Sequence, residues 1–210
     1  MIRARRHSSG FTLSEIMVAV VLFALFATTL LAILTMALRS MTRSDRLVNA
    51  QRNVMAINEV ISTELRTAVV NESSTGYRSL SPVPPSTAVL APSSVGGTSA
   101  QLTFNVPRRG VYDPCAASFN PADPANYQVV RYYVSVSGRE MHREVKLYTT
   151  SGALISTVDA TVAETEDGLF TFSATLTGSD LVTLTLTCTE GTGPGSEVFS
   201  IRNVVCIPSS

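Results

Sequence analysis

The sequence is poor in the residues from which catalytic and metal sites are built. Its 210 residues include two histidines, His7 and His142, and three cysteines, Cys115, Cys188 and Cys206. No two cysteines stand in a CxxC pair, so the usual zinc spacings are excluded. No GxSxG surrounds a serine, and no glycine-rich phosphate loop opens a helix. No nucleophile–histidine–acid set can be read from the chain. An anchored enzyme is therefore the weakest functional reading, and neither a cofactor nor a metal is expected. Charge is also scarce, at 15% of residues, and it is missing altogether from residues 16–38.

A second absence lies at the N-terminus. No acid precedes Gly10, whereas Arg3, Arg5 and Arg6 do. Without residues 1–10, Lys plus Arg falls from 16 to 13 against 16 acids, a net of −3. From Asn71 onward there are 8 basic and 12 acidic residues. A head of that sign is a poor general binder of nucleic acid, where phosphate neutralisation supplies most of the non-specific affinity. Nucleic acid is not an expected partner.

What is present is a long apolar run. Residues 16–38 as a helix reach roughly 34 Å at ~1.5 Å per residue, enough for a hydrocarbon core of about 30 Å. The run is too long for the apolar core of an ordinary secretory signal, and no small-x-small cleavage site follows it. It is expected to stay in the mature protein as a single pass. Basic residues flank both ends, with Arg39, Arg43 and Arg46 on the far side, so the positive-inside rule does not orient it by count. The cysteines do: all three lie beyond the run, and one disulfide plus one spare thiol fits an oxidising compartment. The N-terminus is thus expected in the cytoplasm and the head outside it.

Glu15 stands at the edge of this run. By itself it reads as an anion at a helix N-terminus, where the dipole favours it. An ionisable group at the membrane edge can also await a partner. The surrounding letters, Gly-Phe-Thr-Leu-Ser-Glu after a short basic leader and before an unbroken apolar run, resemble the class III signal of type IV pilins and type II secretion pseudopilins. The resemblance covers Arg5 to about Leu38. It implies cleavage between Gly10 and Phe11 by a prepilin peptidase, methylation of the new Phe11 amine, and pairing of that amine with Glu15 of a neighbouring subunit. It implies inner-membrane insertion, then filament assembly with other pilin or pseudopilin subunits. One departure is the absence of a proline between Phe11 and Leu38, where major pilins often have one.

The helix is expected to continue to about Val70. Leu47, Ala50, Val54, Ile57, Ile61, Leu65 and Ala68 recur at steps of three and four, an apolar stripe that packs on a sheet. Arg43, Arg52, Asn53, Glu59 and Arg66 fall on other faces. The domain plan is then a leader at 1–10, a transmembrane and assembly helix at 11–38, an amphipathic continuation at 39–70 and a β-rich head at 71–210. Residues 71–99 read as loop, with room for a short strand or 3₁₀ turn. Strand-like runs follow at 101–106, 128–137, 139–148, 153–162, 169–176, 181–189 and 197–207. The expected fold is α+β, a long helix packed on an antiparallel sheet and pilin-like. The hairpin "VVRYYV…GREMHRE" resembles that of PilW-like minor pilins and J-class minor pseudopilins. On that resemblance the chain is a minor subunit that helps initiate or cap a filament, either a pilus or a secretion pseudopilus. A ligand-binding pilin, an adhesin or DNA-uptake subunit, is the competing reading.

Smaller features have plain readings. His142 shares a strand face with Glu140 and Glu144, which reads as a solvated face. Arg143 falls on the apolar side of the same strand and has no partner visible in the sequence. "AETEDG" gathers Glu164, Glu166 and Asp167, oxygens that calcium uses, but the spacing matches no complete site and a charged turn is expected. A hairpin through residues 191–196 would set Cys188 opposite Phe199 and on the core face, with Cys206 facing away. Cys115 lies in an irregular loop. The expected bridge is Cys115–Cys206, leaving Cys188 as a buried thiol.

Overall fold

The computed structural model describes residues 12–68, 71–72, 78–79, 96–113, 115–118, 120, 123–177, 181–191 and 196–206. Residues 13–66 contain neither proline nor glycine, the two residues that weaken a helix most, and they form one helix, α1 (Leu13–Arg66). It stops four residues before the expected end. Thr67 and Ala68 close it with tighter bonds to the carbonyls of Glu64 and Leu65, at 3.0 and 3.1 Å. The chain divides into two units, Met1–Ser44 and Asp45–Ser210.

In the first unit the apolar side chains of α1, from Leu13 to Met41, are exposed. Three of its threonines are satisfied internally. Thr28, Thr29 and Thr35 return their hydroxyls to the carbonyls of Leu25, Phe26 and Ala32, each at 2.8 Å. A helix that meets lipid needs this closure, because no water is there to take the bonds.

In the second unit α1 buries one stripe: Ala50, Val54, Ile57, Ile61, Leu65, and Ala68 just beyond its end. Leu47, expected in that stripe, is 39% exposed; the buried face begins only at Ala50. Among the described residues ten strands follow: β1 (Asn71–Glu72), β2 (Arg78–Ser79), β3 (Thr98–Ser99), β4 (Gln101–Pro107), β5 (Tyr127–Val134), β6 (Glu140–Tyr148), β7 (Leu154–Glu164), β8 (Leu169–Thr177), β9 (Leu181–Glu190) and β10 (Glu197–Cys206). They are not one sheet. β4-β5-β6-β7 form one four-stranded antiparallel sheet and β10-β9-β8-β3 another, with β1 and β2 paired separately. One core joins them: Leu102, Phe104, Val130 and Tyr132 of the first sheet and Phe170, Phe172, Leu184 and Leu186 of the second lie in the same buried cluster as the helix stripe.

Two glycines set the join. Gly138 (φ 75°) turns the β5–β6 hairpin, and its carbonyl accepts from Phe170 N at 2.6 Å. Gly168, opening β8, lies so close to β9 that an added Cβ would stand 2.1 Å from the Thr189 carbonyl oxygen. Only a residue without a side chain fits there.

Candidate functional site

The N-terminal site begins where the described residues begin; Gly10 and Phe11 lie outside them. Thr12 and Glu15 form a reciprocal cap on α1. The Thr12 N–H and hydroxyl each donate to Glu15 Oε2 at 2.9 Å, and Glu15 N donates to Thr12 Oγ1 at 3.3 Å. This is the Thr-x-x-Glu capping box, which satisfies backbone donors that a helix start leaves open. Thr12 followed by Glu15 three residues on carries that signal in the sequence, in addition to the dipole. Glu15, Ile16, Ala19, Val20 and Phe23 line a shallow apolar groove beside the cap. Among the described residues α1 is the one helix long and apolar enough to cross a membrane.

The sheet β4-β5-β6-β7 carries two polar clusters, one on each face. On the inner face Tyr132 of β5 stands opposite Arg143 of β6. Both reach Glu64 on α1. Tyr132 donates its hydroxyl to Glu64 Oε2 at 2.6 Å, and Arg143 donates Nε to Oε1 at 3.0 Å and Nη2 to the same oxygen. The Arg143 and Glu64 side chains keep 26% and 22% of their exposure. This resolves the cation that sequence alternation had put on an apolar face: it enters the helix–sheet seam and finds a carboxylate. The bond to Glu64 holds the Arg143 guanidinium more firmly protonated than usual, against the opposing pull of burial. Burial first, then the bond to Glu64, pushes the Tyr132 phenol far up.

On the outer face, one residue along each strand, Tyr133 stands opposite His142. Their rings stack at 5.1 Å, and the Arg131 guanidinium lies 4.5 Å from the Tyr133 ring centre. His142 Nε2 is 2.9 Å from Glu140 Oε2 and its Nδ1 is 3.2 Å from Asp159 Oδ1. Tyr133 donates to Asp159 Oδ2 at 2.7 Å, which pushes the phenol up to about 12. His142 is therefore not a freely solvated residue, as its strand neighbours had suggested. It is 17% exposed, between two carboxylates. The cluster contains no serine or cysteine nucleophile, so this histidine–acid pair has nothing to activate.

Glu164, Thr165, Glu166 and Asp167 line a polar cleft of about 370 Å³ with Glu190 and with Arg46, Asn49, Arg52 and Asn53 of α1. Thr165 donates to buried Glu190 at 2.7 Å, and Asn53 donates to the Glu164 carbonyl at 3.3 Å. The acidic turn thus faces helix cations. Among the described residues no three His, Cys, Asp or Glu side chains gather to hold a metal ion.

Cys188 is buried opposite Phe199, and Cys206 is exposed at the end of β10. Burial first, then the Glu190 carboxylate, pushes the Cys188 thiol up to about 12. The expected Cys115–Cys206 bridge is not formed. Cys115 lies in the loop after β4, an edge of one sheet, and Cys206 ends β10, an edge of the other.

Comparison with known proteins bears on the N-terminal segment. Residues 5–31 match a prokaryotic N-terminal methylation motif. No curated protein and no solved structure matches the chain. The motif supports a type IV prepilin-like protein, and together with the apolar helix it fits membrane anchoring.

Proposed function

We propose that the chain is a minor structural subunit of a type IV pilus or a related filament. The observation that carries this is the methylation motif over residues 5–31, continued by a helix of unbroken apolar exposure. A prepilin peptidase cuts between Gly10 and Phe11 at the cytoplasmic face and methylates the Phe11 amine. The subunit then sits in the inner membrane as a single pass with its head outside the cytoplasm, and joins other pilin or pseudopilin subunits through α1. The tyrosine-bearing β5–β6 hairpin favours a minor subunit near a filament tip, and a type II secretion pseudopilus is the alternative setting. Mass spectrometry of the membrane-extracted protein is expected to find Phe11 as the first residue, and Gly10→Leu to leave the precursor uncut. Residues 3–10 still attached in the wild-type protein would end this reading.

Glu15 has two tasks in this proposal. Its Oε2 closes the cap with Thr12, and the carboxylate as a whole supplies the counter-charge for the neighbour's amine, which at pKa near ~8 is mostly protonated at neutral pH. A buried charge left without its partner is strongly penalised, so the pair fixes the axial register of helices that otherwise slide. Glu15→Val is expected to be inserted and cut normally, and to be depleted from filaments in cross-linking. Normal incorporation would reduce Glu15 to a cap.

A further inference from the structure

The polar cleft between α1 and the turn from β7 to β8 has no task in the filament reading. Its volume, about 370 Å³, falls in the range of small-molecule sites, roughly 300–1,000 Å³. Such sites are lined mainly by apolar side chains. Every residue that lines this one is polar or charged. One wall is α1, where Arg46, Asn49 and Arg52 follow at steps of three. The other is the turn, with Glu164, Glu166 and Asp167. Thr165 and Glu190 are its buried members, 6% and 8% exposed.

The charges that face each other here do not pair. Two cations and four carboxylates line the cleft, yet among the described residues no ion pair joins Arg46 or Arg52 to any of the four. Each wall is held by other contacts. Asn53 ties α1 to the Glu164 carbonyl at 3.3 Å. The Arg46 guanidinium rests against Gly191, where an added Cβ would stand 3.0 Å from Nη1. Glu190 is the extreme case. Thr165 donates to its Oε2 at 2.7 Å and the Cys188 thiol to its Oε1 at 3.7 Å. Both donors are neutral. A buried carboxylate is costly unless a cation accompanies it, and the cations of this cleft stay beyond ion-pair distance.

A ligand that meets both walls carries both signs. A single metal ion does not fit, because among the described residues no three His, Cys, Asp or Glu side chains converge to hold one. A polycation would face Arg46 and Arg52, and a polyanion would face Glu166 and Asp167. We propose that the cleft binds a small zwitterion. Its primary ammonium pairs with Glu190 and Asp167. Its oxyanion takes the guanidinium groups of Arg46 and Arg52, a side chain suited to bidentate pairs with carboxylate or phosphate. Two sources offer this chemistry, a free amino acid and the phosphoethanolamine headgroup of a lipid. Binding of either kind is independent of the filament reading.

Calorimetric titration of the full chain in detergent tests this with glycine, with O-phosphoethanolamine, and with their halves: ethanolamine, acetate and inorganic phosphate. At least one zwitterion is expected to bind. Each half is expected to bind about tenfold more weakly or worse, since a hydrogen bond to a charged group is worth roughly ten- to a hundredfold in affinity. Tighter binding of glycine assigns the site to a free amino acid, and tighter binding of O-phosphoethanolamine to the headgroup. Arg52→Gln and Asp167→Asn, both at exposed positions, are each expected to weaken binding about tenfold and to leave the circular dichroism unchanged. Glu190→Gln keeps an acceptor for Thr165 and is expected to abolish binding. Equal binding of a zwitterion and its ammonium half would overturn the proposal and leave a simple cation site. Binding that survives Arg52→Gln with Asp167→Asn, or no binding of either zwitterion at millimolar concentration, would overturn it too.

Discussion

The two faces of the sheet β4-β5-β6-β7 use almost the same parts. Each has a tyrosine of β5, a basic side chain of β6 and a carboxylate: Tyr132, Arg143 and Glu64 inside, Tyr133, His142 and Asp159 outside. The chain builds both by advancing one residue along each strand. What differs is the origin of the carboxylate. Glu64 comes from α1, so the inner cluster ties two elements that are 79 residues apart in the chain at Arg143. Asp159 comes from the adjacent strand, 17 residues from His142, and bonds a sheet that the β6–β7 ladder already holds. The same chemistry thus fastens the helix on one side and decorates a ladder on the other.

Paired substitutions test that contrast. The largest effect is expected from the carboxylates. Glu64→Ala leaves Arg143 partly buried without its partner and is expected to destabilise the chain by about 3 kcal/mol, at the lower end of the cost of breaking a buried pair because the seam is not fully dry. Asp159→Ala is expected to cost less than ~1 kcal/mol, as for other exposed pairs. Urea unfolding of the full chain in detergent, followed by tyrosine fluorescence, measures both. Equal losses would erase the distinction between the faces.

A smaller difference is expected from the phenols. Tyr132→Phe removes a bond to a charged acceptor inside the seam, at a cost of about 1.5 kcal/mol. Tyr133→Phe is expected to change stability by less than ~0.5 kcal/mol, since water replaces the lost partner. A double-mutant cycle of Tyr132→Phe with Glu64→Gln would show whether the inner cluster acts as a unit.

The smallest effect is the acid response. Burial works against Asp159, but the bonds from Tyr133 and His142 outweigh it and hold its carboxyl below the ordinary value. A carboxyl depressed in the folded state adds stability above the unfolded value, near ~4, and loses it as pH falls through the lower folded value. Asp159→Asn is therefore expected to flatten the stability profile below about pH 4. A profile that stays as steep would assign the acid sensitivity to other groups.

Much of this architecture was legible before the structure. The seven strand-like runs from residue 101 onward match β4 to β10 to within a few residues, because alternation of period two is a local signal. The buried stripe on α1 was read correctly from Ala50 to Ala68, since helical spacing is local too. Three things were not legible. The division into two sheets falls between β7 and β8, strands consecutive in the chain that belong to different sheets, and alternation does not say which strands pair. Arg143 looked misplaced because its partner lies on another element, and alternation says nothing about what a facing helix supplies. His142 looked solvated because Asp159 was assigned to a neighbouring strand without a register. The Thr12–Glu15 cap differs from these, because its signal is local and present in the sequence.

Asn203 of β10 donates to Asn58 Oδ1 at 3.1 Å and to Ser62 Oγ at 3.0 Å. Glu64, two residues farther along α1, accepts from Arg143 and Tyr132 on the other sheet. Within two turns, then, the helix is fastened on both flanks, to a different sheet on each. A tension applied along α1 loads these contacts together, in shear, and does not peel them one after another. Resistance to forced unfolding is set by the rate of unfolding and not by equilibrium stability. The seam is therefore expected to slow forced unfolding of the head, which pulling on α1 would read as a rate.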